Sequence, residues 1–217
     1  MGNRERVGGF ILAGGRSSRM GRPKGFLKFA GEPMVVHVAQ TLESTGEARD
    51  GAAEIAPAMM KPVIIGPPDV YANLGIRVVP DDGENLGPLG GISTALRIAT
   101  CEWNLIVGCD LPFLTREWLE FLIAQAIGSS ADVVIPLNER GFEPLCAMYR
   151  KSARRTIAKA LERGVRKITE GLTTLTLASI APAEWKAFDP CGRLFKNVNT
   201  PEDYDEARES MGEKAAS

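Results

Sequence analysis

Short apolar runs constrain the fold of this chain more than any other feature. They are bounded by glycine, proline or acidic residues and lie at Val7–Ala13, Pro62–Gly66, Ile76–Pro80, Trp103–Cys109 and Ala131–Leu137. Their length suits β-strands, and the absence of polar alternation is typical of strands that are covered on both faces. The sequence therefore predicts a central sheet that is buried between two outer layers.

Helical periodicity fills most of the segments between these runs. It covers Pro33–Ser44, Leu89–Ala99 and Arg116–Ile127, and Thr115 is the predicted N-cap of the last segment. Strands and helices that alternate in this way form mostly parallel sheets with right-handed crossovers. For a chain of 217 residues we therefore expect a single three-layer α/β domain.

The pattern is less regular after Leu137. We predict irregular strands in Gly141–Tyr149, a helix at Lys151–Glu162, a strand at Thr173–Ile180 and a final helix at Pro201–Met211. Thr200 would cap that final helix, whose first turn is acidic. The segment Gly46–Met60 has weak periodicity, and we predict a mobile surface insert there. Residues 212–217 are predicted to be a disordered tail.

Charge and composition exclude several classes of function. A formal net charge of −1 provides no broad positive field of the kind that sequence-independent nucleic-acid binding needs. The 4 cysteines form no CxxC pair, so neither a zinc site nor a disulfide framework is predicted. No segment reaches the roughly 20 apolar residues of a membrane span, and the apolar stretch near the N-terminus is too short for a signal peptide. We expect a cytoplasmic protein that binds neither nucleic acid nor membrane.

A glycine-rich segment, Leu12–Lys24, follows the first predicted strand and reads LAGGRSSRMGRPK. Gly14 and Gly15 allow close backbone approach, so that successive N–H groups can line an anion site. Arg19 and Lys24 add positive charge, which suits a triphosphate, although a tight turn with solvated arginines is the alternative. The spacing matches neither GxxxxGK[ST] nor GxGxxG, which disfavours a P-loop kinase and a dinucleotide dehydrogenase.

Two further segments are expected to meet this loop. The strand at Trp103–Cys109 leads into Asp110, and ligands of open α/β sheets bind beyond the carboxyl ends of strands. A carboxylate there can hold Mg²⁺ together with substrate phosphates, although an aspartate before Leu-Pro can also be a simple cap. In Asp81–Gly91, Gly87 and Gly91 would let a ligand reach the N-terminus of a predicted helix. A surface loop explains that segment equally well.

Together, the motifs LAGGRSSRMGRPK, GPLGG and GCDLP, with NVNTPED near the end, resemble the molybdenum cofactor guanylyltransferase (MobA) family over nearly the whole chain. The resemblance implies a Rossmann-like nucleotidyltransferase fold and a magnesium-dependent enzyme. Such an enzyme transfers GMP from GTP to molybdopterin, which gives the guanine dinucleotide cofactor and pyrophosphate. The nucleotide half would span about residues 1–112 and the acceptor half about residues 113–211. Cofactor-insertion proteins or target molybdoenzymes would receive the product.

The resemblance also implies a role for individual residues. Nucleotide contacts would come from Leu12, Ala13, Gly14, Gly15, Gly87 and Gly91, and Asp81 would read the base edge. Lys24 and Arg19 would hold the phosphates and Asp110 would bind Mg²⁺, which makes these three the predicted catalytic residues. Asn197 and Asn199 would lie near the pterin substrate or the metal. We also expect Gly141–Leu145 and Gly164–Lys167 on the pterin side.

The implied reaction needs no catalytic base, because the attacking phosphate of molybdopterin is already ionised near neutral pH. The one histidine, His37, falls within the first predicted helix, away from the loops, and is predicted to be structural. Three alternatives stay open. They are cytidylyl transfer to the same cofactor, a sugar-phosphate nucleotidyltransferase, and a non-catalytic nucleotide or pterin carrier.

Overall fold

The computed structural model describes residues 5–14, 23–46, 57–83 and 85–210 of the chain. Its strands are β1 (Arg6–Leu12), β2 (Lys28–Phe29), β3 (Glu32–Pro33), β4 (Ala58–Met59), β5 (Val63–Ile65), β6 (Arg77–Val79), β7 (Trp103–Gly108), β8 (Val133–Asn138), β9 (Gly141–Phe142), β10 (Cys146–Arg150) and β11 (Leu177–Ile180). Its α-helices are α1 (Met34–Ser44), α2 (Pro68–Tyr71), α3 (Gly87–Ile98), α4 (Arg116–Ile127), α5 (Arg154–Glu162), α6 (Ile168–Gly171), α7 (Pro182–Trp185) and α8 (Pro201–Glu209).

Within these ranges, most strands belong to one sheet whose central order is β11-β8-β10-β7-β1-β5-β6. Strands that are adjacent in this order run parallel, except that β10 is antiparallel to both β7 and β8. In the register of β1 with β7, Leu12 lies opposite Gly108, so both strands end at the same edge. The glycine-rich segment and Asp110 therefore leave the sheet side by side.

Helices cover both faces of the sheet. Alternate residues of each central strand point to opposite faces, so each face contributes apolar side chains to its own helical layer. Ile11 belongs to the layer that contains α1 and α4, where Trp118 is fully buried. Phe10 belongs to the layer that contains α3 and α5, where Ile157 is fully buried. This arrangement confirms the predicted α/β domain with a mostly parallel sheet. In the described ranges, none of the helices is long and apolar enough to cross a membrane.

Most predicted elements agree with the structure to within a few residues. Helix α4 has the predicted bounds, and the Thr115 side chain accepts a hydrogen bond from the backbone N–H of Trp118 at 3.3 Å. Thr200 caps α8, where it forms a reciprocal capping box with Asp203. The predicted strand at Thr173–Ile180 is shorter than expected, because the chain continues in turns after α6 before β11 begins.

Two predictions need correction. The end of Gly46–Met60 is not a surface insert, because β4 pairs in parallel with β1 there. Residues 47–56 and the predicted tail at 212–217 lie outside the described residues.

His37 lies in α1 as predicted, but it is not remote from the loops. Its Nε2 lies 3.0 Å from the carbonyl oxygen of Pro112, so that α1 supports the loop that follows Asp110.

Candidate functional site

A cleft of about 770 Å³ opens at the carboxyl edge of the sheet. Its lining includes the predicted residues Leu12, Ala13, Gly14, Lys24, Asp81, Gly87, Gly91 and Asp110. Four different segments of the chain supply these residues, and they meet because β1 and β7 end together. The predicted residues Gly15 and Arg19 lie outside the residues that the structure describes.

Lys24 and Asp110 form the charged centre of the cleft. Lys24 opens a 3₁₀ turn at Lys24–Phe26, and its Nζ lies 3.7 Å from Oδ2 of Asp110. The side chains of the two residues are 22% and 21% exposed. Burial raises the pKa of Asp110, and the Lys24 ammonium group opposes that rise. A further cation at this carboxylate would therefore stabilise its ionised form.

The loop before α8 brings an amide to the same centre. Lys24 Nζ donates a hydrogen bond to Oδ1 of Asn199, which is 175 residues away in sequence. The backbone N–H of Val198 donates to the carbonyl oxygen of Asp110 at 3.0 Å. Asn197 precedes this anchored residue. The structure therefore brings the predicted Asn197–Asn199 segment against Asp110.

The capping box of α8 holds Asn199 in place. Oδ2 of Asp203 accepts hydrogen bonds from the backbone N–H groups of Asn199 at 3.0 Å and of Thr200 at 2.9 Å. Burial alone would raise the pKa of Asp203, but these N–H groups, together with the Thr200 side chain and the charge of Lys196, lower it. The cap thus fixes the backbone of the residue that contacts Lys24.

Asp81 supplies the carboxylate on the other side of the cleft. A Cβ atom at Gly14 would lie 2.8 Å from Oδ2 of Asp81, so a glycine is required for this close approach. Burial, followed by the charge of Asp82, raises the pKa of Asp81. Asp82 itself forms an ion pair with Arg97 at 2.6 Å. Of the two adjacent aspartates, Asp81 therefore lines the cleft and Asp82 pairs with α3.

The N-terminus of α3 also faces the cleft. Gly87 adopts a φ of 66°, in the left-handed region that favours glycine. Leu86, Gly87 and Pro88 line the cleft at the start of the helix. The first backbone N–H groups of a helix lack intrahelical partners and favour anions or polar acceptors.

Some other residues that line the cleft were not predicted individually. Tyr71 is buried beside the cleft and stacks on Phe26, with ring centroids 5.4 Å apart. Leu145 also lines the cleft, within the predicted Gly141–Leu145 segment. The predicted Gly164–Lys167 segment lies next to a different part of the site. The carbonyl oxygen of Arg166 is 3.5 Å from the position that a Cβ atom on Gly87 would occupy. That segment therefore borders the start of α3.

The oxygen atoms around Asp110 fit a hard cation. In the part of the chain that the structure describes, no group of three or more His, Cys, Asp and Glu side chains could hold a metal. Mg²⁺ does not need such a group, because it is commonly bound by one or two carboxylates and by substrate phosphates. Asp110 beside the Asn199 amide is a donor set of that kind.

Comparison with known proteins finds relatives over most of the chain. A family model described as "MobA-like NTP transferase domain" matches residues 9–176. The chain is 34% identical over 200 residues to a probable molybdenum cofactor guanylyltransferase of Pelotomaculum thermopropionicum, with 92% of this chain and 91% of the relative covered. It is 30% identical over 210 residues to a protein of the same name from Natranaerobius thermophilus, with 96% and 98% covered.

A solved structure has the same fold. It is the molybdopterin-guanine dinucleotide biosynthesis protein A of Archaeoglobus fulgidus, which superposes with a TM-score of 0.78 at 24% sequence identity. The match covers 96% of this chain and 100% of that one. The two proteins therefore share their fold over nearly the whole of both chains.

Proposed function

Since the chain belongs to the family of MobA-like NTP transferase domains, we propose that it transfers GMP from GTP to molybdopterin and releases pyrophosphate. The chain is a nucleotidyltransferase. The observation that carries the proposal is the convergence of Lys24, Asp110 and Asn199 in one cleft at the carboxyl edge of the sheet. The names of the two relatives support guanylyl transfer to the molybdenum cofactor.

The nucleotide binds between the end of β1 and the start of α3 in this proposal. Guanine presents adjacent N–H and NH₂ donors, and a carboxylate can accept both. Asp81 lies beside Gly14 and is suited to that role. Cytosine presents an amino group beside acceptor atoms, so it would place acceptor atoms against the carboxylate. The position of Asp81 therefore favours guanine over cytosine.

Lys24 and the glycine-rich segment hold the triphosphate. The Lys24 ammonium group can leave Asp110 for a phosphate oxygen, which carries more charge, while Asn199 keeps it near the reacting groups. We assign Gly15 and Arg19 to the same task on the basis of their motif. When Mg²⁺ is bound at Asp110, it would neutralise phosphate charge at the reacting centre.

The chemistry is an in-line displacement at phosphorus. An oxygen of the molybdopterin phosphate forms a bond to the α-phosphorus of GTP. The bond from that phosphorus to the oxygen between the α- and β-phosphates breaks, and pyrophosphate leaves with that oxygen. No proton is transferred, because the attacking phosphate is already an anion. The chain therefore has to align the two substrates and neutralise their charge, which Lys24 and the backbone amides at Gly14 can do.

The acceptor approaches from the half of the domain that follows Asp110. Asn197 and Asn199 are proposed to contact it, and the boundary between nucleotide half and acceptor half falls near residue 112. We also propose that the enzyme works in the cytoplasm, where GTP is available. The product would pass to cofactor-insertion proteins or target molybdoenzymes.

A direct test compares GTP, CTP and UTP as donors with molybdopterin and Mg²⁺. We expect pyrophosphate release and a guanine dinucleotide product with GTP, and rates at least about tenfold lower with CTP, because cytosine lacks the two-donor edge. Pyrophosphate would be measured by a coupled assay and the product by chromatography. Preference for CTP would support cytidylyl transfer, and tight binding without pyrophosphate would support a carrier.

The contact between Gly14 and Asp81 gives a second test. Gly14→Ala is expected to raise the KM for GTP by about tenfold, because the new methyl group must displace the Asp81 carboxylate. Steady-state kinetics with varied GTP would measure the change. Gly128→Ala is the matched control, since the nearest heavy atom to its Cβ position is 3.9 Å away at the end of α4. Equal KM values in the two variants would argue against Asp81 as a base contact.

A further inference from the structure

A polar pair on the acceptor half has no role in the proposed reaction so far. Asn138 ends β8 and Glu143 follows β9, and Nδ2 of Asn138 donates a hydrogen bond to Oε1 of Glu143. Hydrogen bonds that involve the backbone hold both residues in place. Oδ1 of Asn138 accepts from the N–H of Arg140 at 2.7 Å, and the N–H of Glu143 donates to the carbonyl of Pro136 at 2.9 Å. The pair is therefore ordered before any ligand binds.

This pair lies beside the reacting centre, on the opposite side from Asp81. Glu143 is two residues before Leu145, which lines the cleft and accepts a hydrogen bond from the N–H of Gly108 at 2.9 Å. The strand that carries this turn into the sheet is β10, which adjoins β7 on the side away from β1. Asp81, by contrast, follows β6 at the far edge. Glu143 thus borders the half of the cleft that the nucleotide leaves open.

The Glu143 carboxylate has hydrogen-bonding capacity to spare. A carboxylate offers about four acceptor sites, and Asn138 occupies one of them. Burial is the main cause that raises the pKa of Glu143. The hydrogen bond from Asn138 and the charge of Arg140 oppose the rise, and the charge of Asp110 adds to it. A ligand that donates hydrogen bonds to this carboxylate would offset the cost of its burial. The ligand group that fits is a planar edge with two parallel N–H donors.

The pterin ring of the acceptor has such an edge, formed by N3–H and the 2-amino group. We propose that Glu143 recognises this edge of the pterin and that Asn138 holds the carboxylate in position. The assignment rests on the proposed function, because it takes molybdopterin as the acceptor. Asp81 and Glu143 would then lie on either side of Asp110, each reading the donor edge of one ring.

The test uses Glu143→Gln, which keeps the shape of the side chain and an oxygen for Asn138. Loss of a charged hydrogen-bond acceptor is expected to raise the KM for molybdopterin about tenfold to hundredfold and to leave the KM for GTP within about twofold. Isothermal titration calorimetry with molybdopterin would measure the same loss in binding. Glu139→Gln is the matched control in the same turn, because its side chain is 87% exposed. We expect wild-type constants for that variant.

A specificity measurement separates recognition from a merely structural role. The probes are 6-hydroxymethylpterin phosphate and its lumazine analogue, in which oxygen replaces the 2-amino group, both used as inhibitors. The wild-type protein and Glu143→Asp are expected to prefer the pterin, whereas Glu143→Gln is expected to lose that preference because its amide can donate to the oxygen. If the wild-type enzyme makes the guanine dinucleotide and Glu143→Gln keeps an unchanged preference for the pterin, this assignment alone would be overturned. A wild-type enzyme that makes no such product would overturn the proposed function itself.

Discussion

Asp110→Asn is expected to lower turnover by about a hundredfold to a thousandfold, with the fold intact. The substitution keeps the size of the side chain and the backbone hydrogen bond from Val198 to the Asp110 carbonyl. It removes the negative charge that would hold Mg²⁺ at the reacting phosphates. Pyrophosphate release at saturating GTP and molybdopterin would measure the loss, and added Mg²⁺ should restore only part of it. Asp110→Ala is expected to lose at least as much activity.

The same variant should not lose stability when Mg²⁺ is absent. Because the folded-state pKa of Asp110 is raised, its ionisation at neutral pH opposes folding, and a neutral amide removes that cost. A thermal melt in chelator is therefore expected to show an unfolding midpoint at or above that of the wild type. Asp82→Asn is the control, since Asp82 is paired with Arg97 outside the cleft. Near-normal turnover of Asp110→Asn would remove Asp110 from the mechanism.

Lys24→Ala is expected to lower kcat/KM for GTP by about a hundredfold or more. Its Nζ is the positive charge that lies against both Asp110 and Asn199, so its loss affects both phosphate binding and alignment. Steady-state kinetics should show a higher KM for GTP together with a lower kcat. A higher KM alone would assign Lys24 to binding and not to the transition state.

Two controls accompany the Lys24 prediction. Lys28→Ala removes an exposed lysine on β2, only four positions along the chain, and is expected to leave both constants within about twofold of wild type. Lys24→Arg keeps the charge but changes its geometry, and we expect it to recover binding more than turnover. Wild-type kinetics for Lys24→Ala would contradict the proposed phosphate contact.

Much of the fold could be predicted because its signals are local. Uninterrupted apolar runs predicted the buried strands β1, β5, β6, β7 and β8, and caps such as Thr115 and Thr200 located the starts of helices. Some short elements were missed, among them β4 and α2, because so few residues outside a longer apolar run show no periodicity. Strand β10 was predicted only as irregular, and its antiparallel place between β7 and β8 depends on pairing with distant partners.

The candidate site, like the fold, could be predicted only in part. The glycine-rich segment and Asp110 were recognisable because each directly follows a strand, and parallel strands carry ligands at their carboxyl ends. Tyr71 was not predicted, and Glu143 was predicted only as part of the Gly141–Leu145 segment. Their positions depend on the packing of Tyr71 against Gly25 and on the hairpin that carries Glu143, and neither contact has a local sequence signal.

By itself, the sequence determined most of the longer strands and helices, and it pointed to the loop residues that are proposed to bind an anion and a metal. Only the tertiary structure decided that Lys24 meets Asn199 across 175 residues, that Asp81 and not Asp82 lines the cleft, and that Glu143 pairs with Asn138. The physical reason is the range of the interactions. Periodicity, capping and turn chemistry act over a few neighbouring residues, whereas these contacts depend on strand register and on the capping box that fixes the loop before α8.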